Sequence, residues 1–323
     1  MNGAPVEQPD VSIIIVAYRS AADLPDCLSS IGPATRGVDH ELLVVDNASP
    51  DDSGDVVRRL RPDATLLTES VNHGFGRAVN LATRHARGRY LLLVNPDARL
   101  HPGAVDALVA FADDRPDHGF YGGRVFSPSG ENDPKSCWGL PSPWSAFCYA
   151  TGLSSAFRRS RLFDPMSLGG WERDSVREVG AVSGCLLLVS AEAWAAVGGF
   201  EERYFLYGED LDLGWKAHRA GYRPVITPAA ALTHTVGGST GDTERRTEWL
   251  LVARATYYRL RWSRLAGRWG LATLTAGVGL RMLGERLRSR LGRPPSAPRW
   301  VALWRRRSEW RAGFPEREPL VRT

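Results

Sequence analysis

The sequence predicts an α/β protein in which a mostly parallel sheet is flanked by helices and followed by a basic helical extension. Three observations point there. Near-continuous apolar runs recur at Val11–Val16, Glu41–Asp46 and Tyr90–Val94, the signature of strands covered on both faces. Segments of helical spacing separate them, and alternation this tight predicts parallel pairing through right-handed crossovers. Each run also halts at a polar turn, and in open sheets of this kind ligands bind beyond the carboxyl ends of the strands.

Taken in order, Val11-Ser-Ile-Ile-Ile-Val16 is a buried strand rich in β-branched residues. Ala17-Tyr18-Arg19-Ser20 follows, then a helix over about 21–31 with Ser20 as its expected cap. The second strand, Glu41–Asp46, runs into the polar turn Asp46-Asn47-Ala48-Ser49-Pro50-Asp51 and a helix near 54–60. Thr65–Thr68 is a weaker third strand, and Asn72-His73-Gly74-Phe75-Gly76 opens a helix reaching about Arg87. The fourth strand stops at Asn95-Pro96-Asp97, because proline cannot donate to a sheet ladder. A helix near 103–111 comes next.

Between Ser127 and Arg177 the alternation lapses into a proline- and aromatic-rich excursion, expected to be a functional loop or lid. Order resumes with a strand over 180–190, a short helix around Trp194 broken at Gly198-Gly199, the turn Tyr207-Gly208-Glu209-Asp210 and a helix over 211–220. Arg223–Thr227 is the last expected core strand. Beyond Thr240 the chain is helical, basic and aromatic in character. The expected division is therefore an α/β domain over 1–240 and a basic helical extension over 241–323.

Charge supports two regions with different partners. The chain carries a net +5, yet the residues from Gly241 onward hold 19 arginines against 7 acids, a net +12, which leaves −7 for the first 240. Four unpatterned cysteines argue against a zinc ribbon or a disulfide framework and fit a reducing compartment. No secretory signal is expected, since the first dozen residues lack a basic region and an apolar core. The longest uncharged apolar stretch, Trp269–Leu280, falls well short of the roughly 20 residues that span a bilayer.

The chemistry-bearing residues sit where strands end or helices begin: Asp46-Asn47, Asn72, Asn95 with Asp97, and Glu209-Asp210. Converging at one sheet edge they would line a polar cleft for a nucleotide or sugar. Asp97 suits a divalent cation on a diphosphate, and His234, beside Gly237-Gly238-Ser239, could ligate the cation or meet phosphate. Gly74 and Gly76 do not make a dinucleotide fingerprint: the spacing is GxGxxV and it follows the third strand.

The set VSIIIVAYRS, VVDNAS, NHGFGRAVN, NPDA, GED followed by DL, and HTVGGS resembles the inverting family 2 glycosyltransferases of GT-A, Rossmann-like fold. It is most similar to the rhamnosyltransferases that act on polyprenyl-diphosphate-linked sugars in cell-wall assembly. The resemblance implies that Tyr18, Asp46 and Asn47 hold the nucleoside and that Asn72 and Gly74 line the nucleotide loop. It implies that Asn95-Pro96-Asp97 stands in place of the DxD motif, with Asp97 and His234 binding Mg²⁺ or Mn²⁺. Asp210 is the implied general base, with Glu209 as its neighbour, and Gly184 and Cys185 lie in the implied acceptor floor. One departure is plain: Asn95 occupies the position of the first DxD carboxylate.

The implied donor is dTDP-rhamnose, with a UDP-hexose or UDP-galactofuranose as alternatives; a nucleotide-sugar-binding protein without catalysis is the reading from another class. The basic extension is expected to meet a membrane surface or pack on the domain, with no nucleic-acid module beside it. The implied location is cytoplasmic, peripheral on the inner face of the cell membrane.

Overall fold

The computed structural model describes residues 8–234, 243–292 and 299–318. The chain forms two compact units. The first comprises residues 1–138, 172–200 and 213–239; the second comprises 139–171, 201–212 and 240–323. Residues 139–171, the middle of the excursion, and 201–212 thus group with the residues from 240 onward.

In the first unit the order is β1 (Val11–Ala17), α1 (Leu24–Ala34), β2 (His40–Asp46), α2 (Ser53–Leu60), β3 (Thr65–Thr68), α3 (Phe75–Thr83), β4 (Tyr90–Val94), β5 (Ala98–Leu100), α4 (Ala104–Asp113) and β6 (Phe120–Phe126). Two-residue strands β7 (Asn132–Asp133) and β8 (Cys137–Trp138) follow. In the second unit come α5 (Pro143–Thr151) and α6 (Leu153–Ala156). The chain then returns through β9 (Arg177–Glu178), β10 (Ala181–Val182), β11 (Leu186–Ser190) and α7 (Ala191–Val197). Helix α8 (Glu209–Arg219) precedes β12 (Val225–His234), and the second unit closes with α9 (Thr243–Arg261), α10 (Arg264–Arg290), α11 (Trp300–Arg305) and α12 (Arg307–Ala312).

The main sheet runs β3-β2-β1-β4-β11-β6-β12-β5. Pairings among β3, β2, β1 and β4 are parallel, β11 is antiparallel to both neighbours, and β6 and β12 are again parallel. Every residue of β1 and β4 is buried. One face of β1, through Val11, Ile13 and Ile15, joins a core with Leu24, Leu28 and Ile31 of α1 and Val105 and Leu108 of α4; α3 lies against β1 and β2. Each aliphatic side chain so buried stabilises the fold by about 1.5–3 kcal/mol. The mixed α/β architecture is the one the sequence predicts.

Several local expectations are corrected. Ser20 does not cap α1, which starts at Leu24; its hydroxyl bonds the Tyr18 backbone at 3.2 Å. The run 180–190 is two strands, since β10 leaves the main sheet to pair with β8 and a turn from Ser183 to Leu186 separates it from β11. The last core strand extends to His234. The excursion holds β7, β8 and a capped helix, α5, whose Ser142 and Ser145 form a reciprocal capping box. All four cysteines are free and buried. Among the described residues no helix is long and apolar enough to cross a membrane.

Candidate active site

Strand register fixes which turns share an edge. Ala17 pairs with Asp46, Asp46 with Thr68, and Ile15 with Val94, so the turns after β1, β2, β3 and β4 all open on the carboxyl edge. Strand β12 points the same way, being parallel to β6, and so delivers His234 there too.

Two of these turns are cross-tied. Ser53 Oγ accepts from Ser20 N at 2.9 Å and donates to Asp51 Oδ1 at 2.6 Å, while Asp51 Oδ2 accepts from Ala21 N at 3.1 Å. Arg19 and Ala48 both adopt positive φ, 56° and 59°, a conformation held only where surrounding bonds over-determine it. Tyr18 therefore leaves β1 at a rigid corner. Asp46 accepts from Ser49 N at 3.0 Å, folding its carboxylate back over the turn. Gly54 leaves room for it: a Cβ there would lie 2.7 Å from Asp46 Oδ2.

Asn47 is the hub of the next group. Buried, it donates from Nδ2 to Asn72 Oδ1 at 3.1 Å and to the Gly74 carbonyl at 3.3 Å, and its Oδ1 accepts from His73 N at 2.9 Å. Gly74 N in turn donates to Asn72 Oδ1 at 2.8 Å. Gly74 has φ 82°, ψ 173°, open to glycine alone without strain. The structure thus joins Asn47, Asn72 and Gly74 into one network and sets Asp46 and Tyr18 at the same edge.

Asn95-Pro96-Asp97-Ala98 is a tight turn closed by Ala98 N to Asn95 O at 3.1 Å. Past it, β5 runs antiparallel to β12 with Ala98 opposite His234. That register closes 137 residues of sequence: His234 Nε2 lies 2.9 Å from Asp97 Oδ1 and 3.2 Å from Asn95 Nδ2. Both contacts fall on one nitrogen. A proton on Nε2 serves Asp97 and excludes the Asn95 amide; a lone pair does the reverse. A divalent cation would take the proton's place, and an imidazole nitrogen beside a carboxylate oxygen is a donor set that Mg²⁺ or Mn²⁺ accepts. Among the described residues no group of three or more His, Cys, Asp or Glu could hold a metal, so the protein would supply two ligands and a substrate diphosphate and water the rest. A recess of about 210 Å³ adjoins Asp97, lined also by Asp23, Asp26, Cys27 and Thr233. Burial, then Asp97 and Asp26, hold the Asp23 carboxyl above its usual range. Burial pushes the Cys27 thiol up to about 12, which removes it as a nucleophile.

Glu209 and Asp210 open α8. Tyr207 and Gly208 precede them at φ 67° and 92°. Acids at 209, 210 and 212 occupy the helix's first turn, where its dipole favours negative charge. Asp212, fully buried, takes a two-pronged ion pair from Arg261 of α9, with Nε to Oδ1 at 2.6 Å and Nη2 to Oδ2 at 2.8 Å; the Tyr204 hydroxyl is 3.4 Å from Oδ1. Burial first, and the charge of Asp210 next, raise Glu209 to about 8. Its Oε2 has no hydrogen-bond partner among the described residues. At neutral pH Glu209 therefore holds its proton, while Asp210 is half-buried.

Gly184 is buried in the turn before β11. The motif residues after His234, Thr235 to Ser239, lie outside the described residues. Sequence reasoning missed Ser53, Asp51 and Gly54, which brace the first two turns, and the role of Asp212. Arg261 lies in Tyr258-Arg-Leu-Arg261-Trp262, a segment that partly resembles the QxxRW motif of processive polysaccharide synthases but lacks its glutamine.

Comparison with known proteins adds to this geometry. Residues 12–176 match the family model described as Glycosyl transferase family 2. An N-acetylglucosaminyl-diphospho-decaprenol L-rhamnosyltransferase of Mycobacterium tuberculosis is 31% identical over 248 residues, covering 71% of this chain and 77% of that one. The O-antigen biosynthesis protein RfbC of Myxococcus xanthus is 28% identical over 70% of this chain but only 17% of its own. Among solved structures, a mannosyltransferase from Pyrobaculum calidifontis in complex with GDP-Man and Mn²⁺ superposes with a TM-score of 0.52 at 20% identity, covering 95% of this chain and 86% of that one. TarS of S. aureus in complex with UDP gives 0.52 at 16% identity, covering 83% and 70%. These two likenesses establish the shared GT-A fold.

Proposed function

This chain belongs to glycosyl transferase family 2, and on that premise we propose that it moves L-rhamnose from dTDP-rhamnose, with inversion, to a hydroxyl of a polyprenyl-diphosphate-linked sugar. The observation that carries the reading is the meeting of Asp97 and His234 at 2.9 Å on the sheet edge that holds the Asn47–Asn72–Gly74 network. The activity for which the M. tuberculosis relative is named supports the choice of sugar and of acceptor class.

In this reading Tyr18, Asp46, Asn47, Asn72 and Gly74 hold the nucleoside, and Asp97 and His234 hold Mg²⁺ or Mn²⁺. When bound, the cation neutralises charge on the leaving diphosphate. Asp210 takes the proton of the acceptor hydroxyl while its oxygen bonds to the anomeric carbon from the face opposite the nucleotide. The bond from that carbon to the diphosphate breaks, and its electron pair leaves with the diphosphate. Glu209, which keeps its proton at neutral pH, leaves the base role to Asp210 and supports the turn. Gly184 belongs to the acceptor floor. A lipid-tailed acceptor requires contact with the inner membrane face, for which the helices beyond residue 240 are the proposed element.

A thermal-shift screen of nucleotide sugars, with and without Mn²⁺, tests the donor. Selective stabilisation by dTDP-rhamnose is expected, and Asp210→Asn should keep that shift while losing transfer. A shift by a UDP-hexose or UDP-galactofuranose instead would redirect the donor. No response to any nucleotide sugar would sink the reading, and unchanged turnover in Asp210→Asn would sink the mechanism.

A further inference from the structure

Helix α10 is apolar on two faces. One is buried within the second unit through Leu271, Leu274, Val278 and Met282. The other, roughly opposite at ~3.6 residues per turn, stands in solvent. Leu265, Trp269, Leu280, Leu283, Leu287 and Leu291 are between 42% and 80% exposed. Ala272 and Ala276, also exposed, complete the spacing of three or four residues. The stripe runs about 40 Å at ~1.5 Å per residue. Soluble monomers rarely leave contiguous apolar surface of that extent in water.

Its border is basic. Arg264, Arg268, Arg286, Arg288 and Arg290 are exposed on the same helix. The only acid of α10, Glu285, is engaged elsewhere, accepting from Val301 N at 3.0 Å. A second patch in the same unit repeats the composition: Phe157 and Leu162 are exposed beside Arg158, Arg159 and Arg161.

The occupant must be apolar along the stripe and anionic at its rim. A second copy of the chain packed through this face would set arginine rim against arginine rim, which like charges oppose. A nucleic acid would satisfy the arginines and leave the leucines in water. The helix is not apolar enough to span a bilayer, but a helix lying in the headgroup plane, leucines toward the acyl chains and arginines at the phosphates, satisfies both demands.

We propose that the exposed stripe of α10 is the docking face for an anionic phospholipid leaflet. The purpose of the contact rests on the lipid-linked acceptor proposed above; the contact itself is read with neither donor nor acceptor present. The intact protein should float with mixed phosphatidylglycerol–phosphatidylcholine vesicles, less so at high salt, and at least about tenfold less with phosphatidylcholine alone. Leu283→Glu with Leu287→Glu should weaken vesicle binding at least about tenfold while leaving the thermal midpoint unchanged, because both side chains are already exposed. Arg286→Gln with Arg290→Gln should remove much of the phosphatidylglycerol preference alone. Failure of the wild type to bind these vesicles, or wild-type binding by the leucine variant, would overturn the proposal. So would a leucine variant that only converts a dimer to a monomer. Transfer to a short-tailed, water-soluble acceptor should survive in the leucine variant. A wild type that binds vesicles but transfers nothing would refute the enzymatic reading and leave the docking face standing.

Discussion

Arg261→Met tests how the acidic turn is held. In the folded chain the guanidinium grips Asp212 with two bonds of 2.6 and 2.8 Å. Without it, Asp212, at 0% exposure, keeps among the described residues' side chains the Tyr204 hydroxyl at 3.4 Å. Unit charges ~4 Å apart attract by about 4 kcal/mol at an effective dielectric of ~20. Removing one member of a buried pair costs about 3–5 kcal/mol, because the other is left desolvated. Arg261→Met should therefore destabilise the chain by about 3–5 kcal/mol and lower its thermal midpoint by roughly 10 °C. Urea unfolding followed by tryptophan fluorescence measures this directly. Asp212→Leu with Arg261→Met removes both charges and should recover most of the loss. Arg261→Lys keeps the charge but not the fork and should fall between. Because Asp212 shares the first turn of α8 with Asp210, Arg261→Met should also lower transfer at temperatures where it stays folded. A loss below about 1 kcal/mol, or a double variant that loses the sum of both single changes, would refute the assignment.

Glu209 gives the stability a pH slope. Its folded pKa of about 8 stands above the ordinary 4.5, so across that window the unfolded chain releases a proton that the folded chain keeps. Stability should fall as pH rises, at up to about 1.4 kcal/mol per unit. Glu209→Gln should flatten the slope and exceed the wild type at the alkaline end, as read by unfolding midpoints across the window; a slope equal to that of the wild type would contradict the cause given. For the proposed metal site, Asp97→Asn should weaken activation by Mn²⁺ at least about tenfold, measured by metal titration of transfer rates. His234→Gln added to it should cost much less than it does alone, since the two side chains meet.

What was legible in the sequence follows from what is local. Strands β1 and β4 are buried on both faces, so their apolar runs announce themselves, and Pro96 marks its own strand end. Strand β6 hides because Gly122, Gly123 and Arg124 interrupt its pattern. Gly123 is there for close approach, since a Cβ would lie 2.4 Å from the Ala230 carbonyl, a demand set by a strand more than a hundred residues away. Ser20 has the right chemistry for a cap, but its neighbours Ser53 and Asp51 draw the loop into another arrangement. The Asp212–Arg261 pair has no local pattern at all.

Asn95 is the most instructive case, since the sequence showed only an absent carboxylate. The structure places its amide 3.2 Å from His234 Nε2. The amide carries no charge, and its Nδ2 can donate to a lone pair on Nε2, the partner arrangement that a carboxylate at position 95 could not offer. Under the proposed reading the protein's ligands for the cation are then one carboxylate, Asp97, and one imidazole, His234, 2.9 Å apart.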